Sequence, residues 1–312
     1  MRPLLLICGP TACHKSETAL RIAERWGGEI LSIDSVAVYR GMDIGSAKPD
    51  LIERTRVPHH LIDIVDPDDT SFSVAAFQQA ADTALMDLDR RDVQPILVGG
   101  SGMYCDAVLE DMGYALPADR ELRTRLEREY DADPNAFYER MARDDVPSDE
   151  KLHVNDRKRV VRAREVFLLS GKPFSSFNME YLAAQRHDRY PAVRVGLTMP
   201  REKLYAAINR RVDRMMEQGL LDEVKGLREK GFDRHLPSMQ AIGYAQLIEY
   251  LEGEMSLDEA VDNIKRSTRQ FAKRQLTWFR RDERIRWFDC EDYEQAYRSI
   301  EGYVKETIYG HV

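Results

Sequence analysis

The sequence predicts an α/β fold, in which a P-loop-type parallel sheet is flanked by helices and carries a mainly helical inserted domain. Three observations support this prediction. Short uncharged apolar runs end in glycine-rich or polar turns, as buried strands of parallel sheets do. Segments with helical spacing of apolar residues follow these runs, which indicates that strands and helices alternate. A charged block without such runs separates two stretches of this pattern, and we interpret it as an insertion.

The first strand and the turn after it form the most specific motif. Leu4–Cys8 is an apolar run, and Gly9–Ser16 follows it with the letters GPTACHKS. A phosphate-binding loop needs glycines, so that backbone N–H groups surround phosphate oxygens, a lysine that reaches the outer phosphate, and a hydroxyl that holds Mg²⁺. Lys15 and Ser16 occupy the last two positions. Helical spacing over Glu17–Trp26 places this turn at a helix N-terminus, which favours anions.

One residue departs from the phosphate-loop pattern. The motif has glycine before its lysine, whereas this chain has His14. A left-handed residue with a Cβ costs about 1–2 kcal/mol, and we expect the side chain to strain the loop or to crowd a ligand. A strand, turn and helix without a ligand therefore remains an alternative. Cys13 is adjacent to His14, but we do not expect a metal site there.

Two further strands end in polar or glycine-rich turns. Glu29–Ile33 predicts a second strand that ends at Asp34 and Ser35, and Pro95–Val98 predicts a third that ends at Gly99–Gly102. In open parallel sheets, ligands bind outside the carboxyl ends of the strands, so we expect these turns to converge on one ligand. A second interpretation of Asp34, as a helix N-cap, remains open.

The segments between these strands are less specific. Val38–Pro49 is irregular, rich in glycine and carries two basic residues, which indicates a functional loop near the phosphates. His59 and His60 have no third ligand at suitable spacing, so we expect a structural role for them. Phe72–Arg90 has helical periodicity.

The charged block predicts a domain of its own. We place the core at residues 1–115 and 190–312 and the helical insertion at 116–189, after which Ala192–Leu197 resumes the sheet. Within the block, Asn155–Arg164 is a dense basic stretch on a predicted helix. It fits either a solvated helix face or a groove for a phosphate backbone.

The C-terminal part is basic and helical. Arg201–Glu229 predicts one long helix, on which Arg211 is one of three arginines within about one turn, and arginine binds diphosphate through paired hydrogen bonds. Asp262–Arg286 interleaves basic residues with aromatic ones, which fits RNA recognition. Salt bridges to acidic residues are the alternative interpretation.

The composition fits a globular protein outside membranes. Of 312 residues, 43% are hydrophobic and 32% are charged, without an apolar stretch of membrane-spanning length or a signal-peptide pattern. The four cysteines are scattered, which predicts free thiols in a reducing cytoplasm. We therefore expect a cytoplasmic protein without a membrane partner. The net charge of −8 does not exclude nucleic acid, because local basic patches decide binding.

Beyond these patterns, the chain resembles the bacterial tRNA dimethylallyltransferases. The similar stretches include RGMDIGSAKP (40–49), VPHHLIDI (57–64) and TRQFAKRQLTWFR (268–280), and the resemblance extends to about Asp289. It implies transfer of a dimethylallyl group from dimethylallyl diphosphate to the exocyclic amine of the adenosine 3′ of the tRNA anticodon, with release of diphosphate. It also implies Mg²⁺ as cofactor and the tRNA anticodon stem-loop as partner, and we expect a monomer.

The resemblance further implies roles for individual residues. Asp34 would accept the amine proton, and Ser101, in place of a family threonine, would donate a hydrogen bond near the reacting centre. The diphosphate would bind to Gly9, Thr11, Ala12, Lys15, Ser16 and Arg211, and Ser16 would hold the magnesium. The tRNA would bind to Ser35, Tyr39, Arg159, Arg162, Gln240, Lys273 and Arg274, partly on the inserted domain.

Three residues depart from the family pattern. His14 replaces a glycine, Cys13 a small serine, and Ala37 a glutamine that helps to read the target base region. They raise the alternative of an impaired relative that still binds tRNA. A P-loop kinase of small molecules is a third, weaker hypothesis. On this reasoning, His14→Gly is expected to tighten diphosphate binding.

Overall fold

A computed structural model describes residues 2–110, 119–145, 148, 152–175 and 187–310. The chain divides into two compact units. The first combines Met1–Leu109 with Arg189–Val312, and the second is Glu110–Asp188. The predicted boundary at residues 115 and 116 lies outside the described residues.

The first unit contains a six-stranded parallel sheet, so the predicted α/β fold is confirmed. The strand order is β3-β2-β4-β1-β5-β6, and every pair of neighbouring strands is parallel. The strands are β1 (Leu4–Cys8), β2 (Gly28–Ile33), β3 (His59–His60), β4 (Gln94–Gly99), β5 (Ala192–Thr198) and β6 (Arg286–Asp289).

Helices cover both faces of this sheet. The described helices of this unit are α1 (Lys15–Trp26), α2 (Leu51–Arg56), α3 (Val74–Arg90), α4 (Gly102–Leu109), α8 (Arg201–Glu217), α9 (Leu220–Glu229), α10 (Tyr244–Leu251), α11 (Leu257–Phe279) and α12 (Tyr293–Val304), while α5 (Arg120–Ala132), α6 (Pro134–Asp144) and α7 (Arg157–Ser170) belong to the second unit. Alternate residues of β1 point to opposite sides: Leu6 packs in the cluster that contains α3, and Leu5 in the cluster that contains α1 and α12. None of the described helices is long and apolar enough to cross a membrane.

The carboxyl ends of the central strands lie in register. Cys8 at the end of β1 and Ile33 at the end of β2 both pair with Gly99 at the end of β4. A Cβ on Gly99 would overlap the Ile33 carbonyl group, so glycine permits this close approach. The turns that follow β1, β2 and β4 therefore lie side by side, as the sequence predicts.

Two features of this unit differ from the sequence prediction. The single helix predicted over Arg201–Glu229 is wrong, because α8 ends at Glu217 and α9 begins at Leu220. Gly219 between them has a φ of 97°, a conformation that glycine adopts without a Cβ penalty. The apolar-run pattern also does not predict β3, which has two residues, or β6, whose four residues are exposed or half-buried.

In the second unit, α5, α6 and α7 pack around a small apolar cluster that includes Leu126, Phe137 and Val160. Beside it lies Glu165, whose side chain is 0% exposed. Glu165 accepts hydrogen bonds from Arg123 and Arg162 and from the backbone N–H of residue 119. These bonds satisfy a carboxylate that would otherwise be costly to bury.

Candidate active site

A cavity of about 390 Å³ opens within the first unit, at the carboxyl edge of the sheet. This volume is typical of small-molecule sites. The walls come from the turns after β1, β2 and β4, the loop before α2, and helices α8 and α11. Among the lining residues are Thr11, Lys15, Ser16, Asp34, Ser35, Ala37, Lys48, Ser101, Arg211, Gln240, Phe271, Arg274 and Gln275. Residues from distant parts of the chain thus meet in one cavity.

Lys15 lies at the base of this cavity, at the first position of α1. Its Nζ donates a hydrogen bond to the Pro10 carbonyl oxygen at 2.6 Å. Burial, with a smaller contribution from the positive charge of Arg211, lowers the pKa of Lys15 to about 8, although Cys13 and Asp34 act in the opposite direction. The ammonium group is therefore poorly solvated, and a bound anion would stabilise its charged form.

Arg211 projects from α8 into the same cavity. Burial lowers the pKa of its guanidinium group, and the nearby Asp34 opposes this shift. Within the part of the chain that the structure describes, neither Arg211 nor Lys15 forms a salt bridge. Two cations thus face one cavity with no salt bridge to either from the described residues, which is the electrostatic character of an anion site.

Asp34 follows β2 and caps a turn. Its Oδ1 accepts hydrogen bonds from the backbone N–H groups of Val36 at 2.8 Å and Ala37 at 3.1 Å. Among the described residues, Oδ2 has no hydrogen-bond partner. No helix begins at Asp34 in the described part of the chain, so its interpretation as a helix N-cap is wrong: Oδ1 caps a turn, and the second oxygen stays available as an acceptor.

Ser101 links the turn after β4 to the turn after β2. Its Oγ accepts a hydrogen bond from the Ser35 N–H at 3.1 Å and lies 3.3 Å from the Ser35 Oγ. The Ser101 N–H donates to the Ile33 carbonyl oxygen at 3.3 Å. The two predicted catalytic residues, Asp34 and Ser101, are thus held on adjacent, hydrogen-bonded turns.

The sequence analysis did not identify Gln275, which projects from α11. Its Oε1 accepts a hydrogen bond from the Thr11 N–H at 2.9 Å, and its Nε2 donates to the Gly100 carbonyl oxygen at 3.0 Å. The side chain therefore bridges the phosphate loop and the turn after β4. No local sequence signal marks this role, because the partner residues lie 264 and 175 positions away.

The sequence analysis also did not identify Glu223 on α9, which supports the loop before α2. The Glu223 carboxylate accepts hydrogen bonds from the backbone N–H groups of Asp43, Ile44 and Gly45, at 2.9, 2.7 and 3.3 Å, and from the Tyr244 hydroxyl at 2.6 Å. A Cβ on Gly45 would clash with the Tyr244 ring. This explains why the loop needs glycine there.

The same loop carries Lys48, whose side chain is 1% exposed and bonds to Asp43 and Asp63 at 2.7 and 2.6 Å. The first of the paired histidines, His59, lines the cavity. The second, His60, lies 2.7 Å from the Glu29 carboxylate. The contacts of Lys48 with Asp43 and Asp63 thus hold the loop where it forms the cavity wall.

His14 adopts the left-handed conformation that the motif requires, with φ 56° and ψ 17°. Its ring does not line the cavity. It stacks on Tyr293 of α12 with centroids 4.4 Å apart and 19° between the ring planes, and its Nδ1 lies 3.0 Å from Glu17 Oε2. The expected crowding of a ligand by this side chain is therefore wrong, while the left-handed backbone is present. Cys13 is buried in the apolar cluster beside α1.

The other predicted diphosphate-binding residues are distributed around the phosphate loop. Gly9 has a φ of 139°, and a Cβ there would overlap the Leu197 carbonyl oxygen. Ala12, with a φ of 61°, packs against an apolar cluster that includes Leu204 and Ile208. Gly9 has no side chain and that of Ala12 does not line the cavity, so any contact with phosphate would come from the backbone.

The residues predicted to bind tRNA fall into three groups. Three of them line the cavity: Ser35, Gln240 and Arg274. The guanidinium carbon of Arg274 lies 5.7 Å from the centroid of the Phe271 ring. Lys273 is exposed on the same helix, outside the lining. Tyr39 also lies outside the lining, where its ring packs edge-on against a phenylalanine 6.5 Å away.

The remaining two residues of this prediction belong to the second unit. The Arg159 side chain is 70% exposed and lies 3.5 Å from Asp156. Arg162 instead donates to the buried Glu165 at 2.7 Å. Of these two arginines, Arg159 alone presents most of its surface to solvent.

Comparisons with known proteins agree with this geometry. The family model described as IPP transferase matches residues 37–282. The tRNA dimethylallyltransferase of Heliobacterium modesticaldum is 46% identical over 99% of this chain and 97% of that protein. The crystal structure of the tRNA isopentenylpyrophosphate transferase of Bacillus halodurans is 40% identical, with a TM-score of 0.73 over 99% of this chain and 98% of that one. A eukaryotic dimethylallyltransferase acting on tRNA is 25% identical, with a TM-score of 0.79 over 100% of this chain and 77% of that one.

Proposed function

The chain belongs to the IPP transferase family, the tRNA dimethylallyltransferases, and on this basis we propose how its cavity performs the reaction of that family. The enzyme transfers a dimethylallyl group from dimethylallyl diphosphate to the exocyclic amine of the adenosine 3′ of the anticodon in tRNA, and diphosphate is released. The comparisons do not support the reduced activity expected from His14. The ring of His14 stacks outside the cavity, which agrees with an active enzyme.

One observation supports this function above the others. The cavity combines two cations that lack salt-bridge partners among the described residues, Lys15 and Arg211, with a carboxylate, Asp34, on the neighbouring turn. Transfer of a prenyl group from a diphosphate to an amine needs both elements. The cations stabilise the charge that develops on the leaving diphosphate, and the carboxylate removes the proton that the amine must lose.

We propose that Asp34 is the general base. The adenine amine is a weak nucleophile, because its lone pair is delocalised into the ring, and it needs a proton acceptor as the new C–N bond forms. Oδ1 is held by two backbone N–H groups, so the carboxylate has a fixed orientation. Its second oxygen would receive the proton, and Ser101 would orient the amine from the adjacent turn.

We propose that Lys15 and Arg211 bind the diphosphate together with the backbone of the phosphate loop. The residues also fit Mg²⁺. The Ser16 hydroxyl lines the cavity, and the described residues contain no cluster of acidic, histidine or cysteine side chains that would hold a metal alone. Mg²⁺ often binds through substrate phosphates and few protein ligands, so Ser16 would be its protein ligand. When bound, the cation would neutralise part of the diphosphate charge.

We propose that α11 of the first unit and, separately, Arg159 of the inserted unit contribute residues to tRNA binding. Arg274 and Phe271 line the cavity on α11, and Lys273 is exposed beside them. Such a basic and aromatic surface suits phosphates and an unstacked base. Arg159 offers an exposed cation on the inserted unit, which supports its assignment as a tRNA-binding domain. The described lining residues all belong to the first unit of one chain, which supports a monomeric catalyst.

The test of this function uses a matched pair of enzymes. Parent and Asp34→Asn proteins are incubated with unmodified tRNA, Mg²⁺ and dimethylallyl diphosphate, and the nucleosides are analysed by mass spectrometry. Asparagine keeps the Oδ1 acceptor and the turn but removes the base, so we expect roughly 10²-fold or greater loss of kcat with unchanged tRNA affinity. If Asp34→Asn retained parental activity, Asp34 would not be the base.

The same experiment addresses the alternatives. Binding of tRNA by the parent protein without any modified adenosine would support an impaired relative. ATP-dependent phosphorylation of a small acceptor without tRNA binding would support a kinase and contradict the proposal.

A further inference from the structure

The buried side chain of Gln275 on α11 joins the phosphate loop to the turn after β4. The residue is 6% exposed. Both polar atoms of its amide form hydrogen bonds. Oε1 accepts a hydrogen bond from the Thr11 N–H at 2.9 Å, and Nε2 donates one to the Gly100 carbonyl oxygen at 3.0 Å. Because the amide is almost fully buried, its loss would leave two backbone groups without these partners.

The two turns that Gln275 joins serve opposite halves of the proposed reaction. Thr11 belongs to the phosphate loop that also carries Lys15, on the side of the diphosphate. Gly100 precedes Ser101. The Ser101 Oγ accepts a hydrogen bond from the N–H of Ser35, which follows the proposed base, Asp34, in the chain. The distance between the reacting carbon and the base therefore depends on how these two turns are held against each other.

We propose that Gln275 is a positioning residue that sets the alignment of the diphosphate-binding loop with the turn that carries the base. This inference rests on the proposed function. It also explains why the position requires an amide. A carboxylate offers only acceptors and would repel the Gly100 carbonyl oxygen, and a thioether of similar length offers neither a strong donor nor a strong acceptor.

Gly100 provides an independent way to disturb the same contact. A Cβ at this position would overlap the Gln275 Nε2 and lie 3.0 Å from Gln275 Cδ, and the next heavy atom among the described residues is the Gly9 carbonyl oxygen at 3.4 Å. The φ of Gly100 is not in the left-handed range, so alanine fits its backbone. Gly100→Ala therefore moves the amide without changing Gln275 itself.

The experiment compares Gln275→Met, Gln275→Glu, Gly100→Ala and the double variant Gly100→Ala/Gln275→Met with the parent enzyme. Gln79→Glu is the control, because Gln79 is exposed on α3 and the change adds the same charge as Gln275→Glu. Dimethylallyl transfer is measured at saturating concentrations of both substrates, well below the melting temperature of each variant. The affinity for tRNA is measured in parallel.

We expect each single variant of Gln275 or Gly100 to lower kcat at least tenfold, while the tRNA dissociation constant changes less than threefold. The double variant should lose no more than the worse single variant, because both changes remove one contact. If kcat of the folded Gln275 and Gly100 variants equalled that of Gln79→Glu while only their melting temperatures fell, Gln275 would be merely structural and the inference would be wrong. An inactive parent enzyme would instead contradict the proposed function.

Discussion

His14→Gly separates backbone strain from side-chain contacts in the phosphate loop. The residue has a φ of 56°, which costs an L-residue with a Cβ about 1–2 kcal/mol. Glycine removes this strain, but it increases the conformational entropy of the unfolded chain, a loss of about 0.5–1 kcal/mol. The direction of the net effect therefore depends on what the imidazole ring contributes.

The ring contributes mainly through Tyr293. The stack, with centroids 4.4 Å apart, is worth about 0.5–1.5 kcal/mol, and the exposed contact with Glu17 adds about 0–1 kcal/mol. Gain and loss nearly cancel, so we expect the melting temperature of His14→Gly to stay within about 4 °C of the parent value, since 1 kcal/mol corresponds to about 2–4 °C in a domain of this size. We also expect diphosphate affinity to change less than threefold, because the ring lies outside the cavity.

Scanning calorimetry and titration with inorganic diphosphate and Mg²⁺ measure both quantities for His14→Gly, Tyr293→Leu and the double variant. Tyr293→Leu should destabilise the parent by about 0.5–1.5 kcal/mol more than it destabilises the His14→Gly variant. Ala47→Gly is the control for the effect of strain on the melting temperature, because Ala47 has a φ of 49° and an exposed side chain with no ring contact among the described residues; since Ala47 lines the cavity, this variant is not used in the diphosphate titration. The reasoning would be refuted if His14→Gly bound diphosphate more than tenfold tighter, or if the two variants were additive.

Three further predictions follow from the contacts in the two units. Diphosphate affinity should fall by up to tenfold per pH unit above the Lys15 pKa of about 8, because a neutral lysine must take up a proton when the anion binds. Lys15→Met should abolish that part of the pH dependence, and titration calorimetry in buffers of different ionisation enthalpy measures the proton uptake. An unchanged pH dependence in Lys15→Met would contradict the idea. Glu223→Gln should lower the rate of dimethylallyl transfer, and Tyr244→Phe, which removes a single hydrogen bond to Glu223, should lower it less. Equal rates for the two variants in the kinetic assay would contradict a role of Glu223 in holding the loop. Arg159→Ala should weaken tRNA binding in a salt-dependent manner without a change in melting temperature, whereas Arg162→Ala should lower the melting temperature. Filter binding measures the tRNA affinity and calorimetry the melting temperature, and equal behaviour of the two variants would contradict these separate roles.

Local sequence patterns predicted the parts of the structure that local chemistry decides. The strand at Leu4–Cys8, its phosphate loop and the turns at Asp34 and Ser101 follow from apolar runs that end in polar residues, because parallel strands bring such turns to one edge. Arg211 could be assigned to the diphosphate only through the resemblance to a family, since helical spacing places several arginines equally well.

Other features depend on contacts that the pattern does not encode. Gln275 and Glu223 act on backbone groups far away in the chain, and a glutamine or glutamate on an amphipathic helix carries no sign of this. The end of α8 depends on Gly219, an isolated glycine that helices also tolerate. The ring of His14 was predicted to crowd the ligand because its stacking partner, Tyr293, lies at the other end of the sequence.

The order of strands in the sheet has a consequence for synthesis on the ribosome. β1 lies between β4 and β5, yet β5 follows β4 only after the inserted unit, roughly 90 residues later. At about 5–20 residues per second, the β5 edge of β1 stays unpaired for roughly 5–20 seconds after β4 has been made. An unpaired apolar strand is a template for aggregation, so we expect a nascent chain that stalls between residues 110 and 190 to be a substrate for chaperones. The helix that carries Gln275 is made last of the described elements that line the cavity.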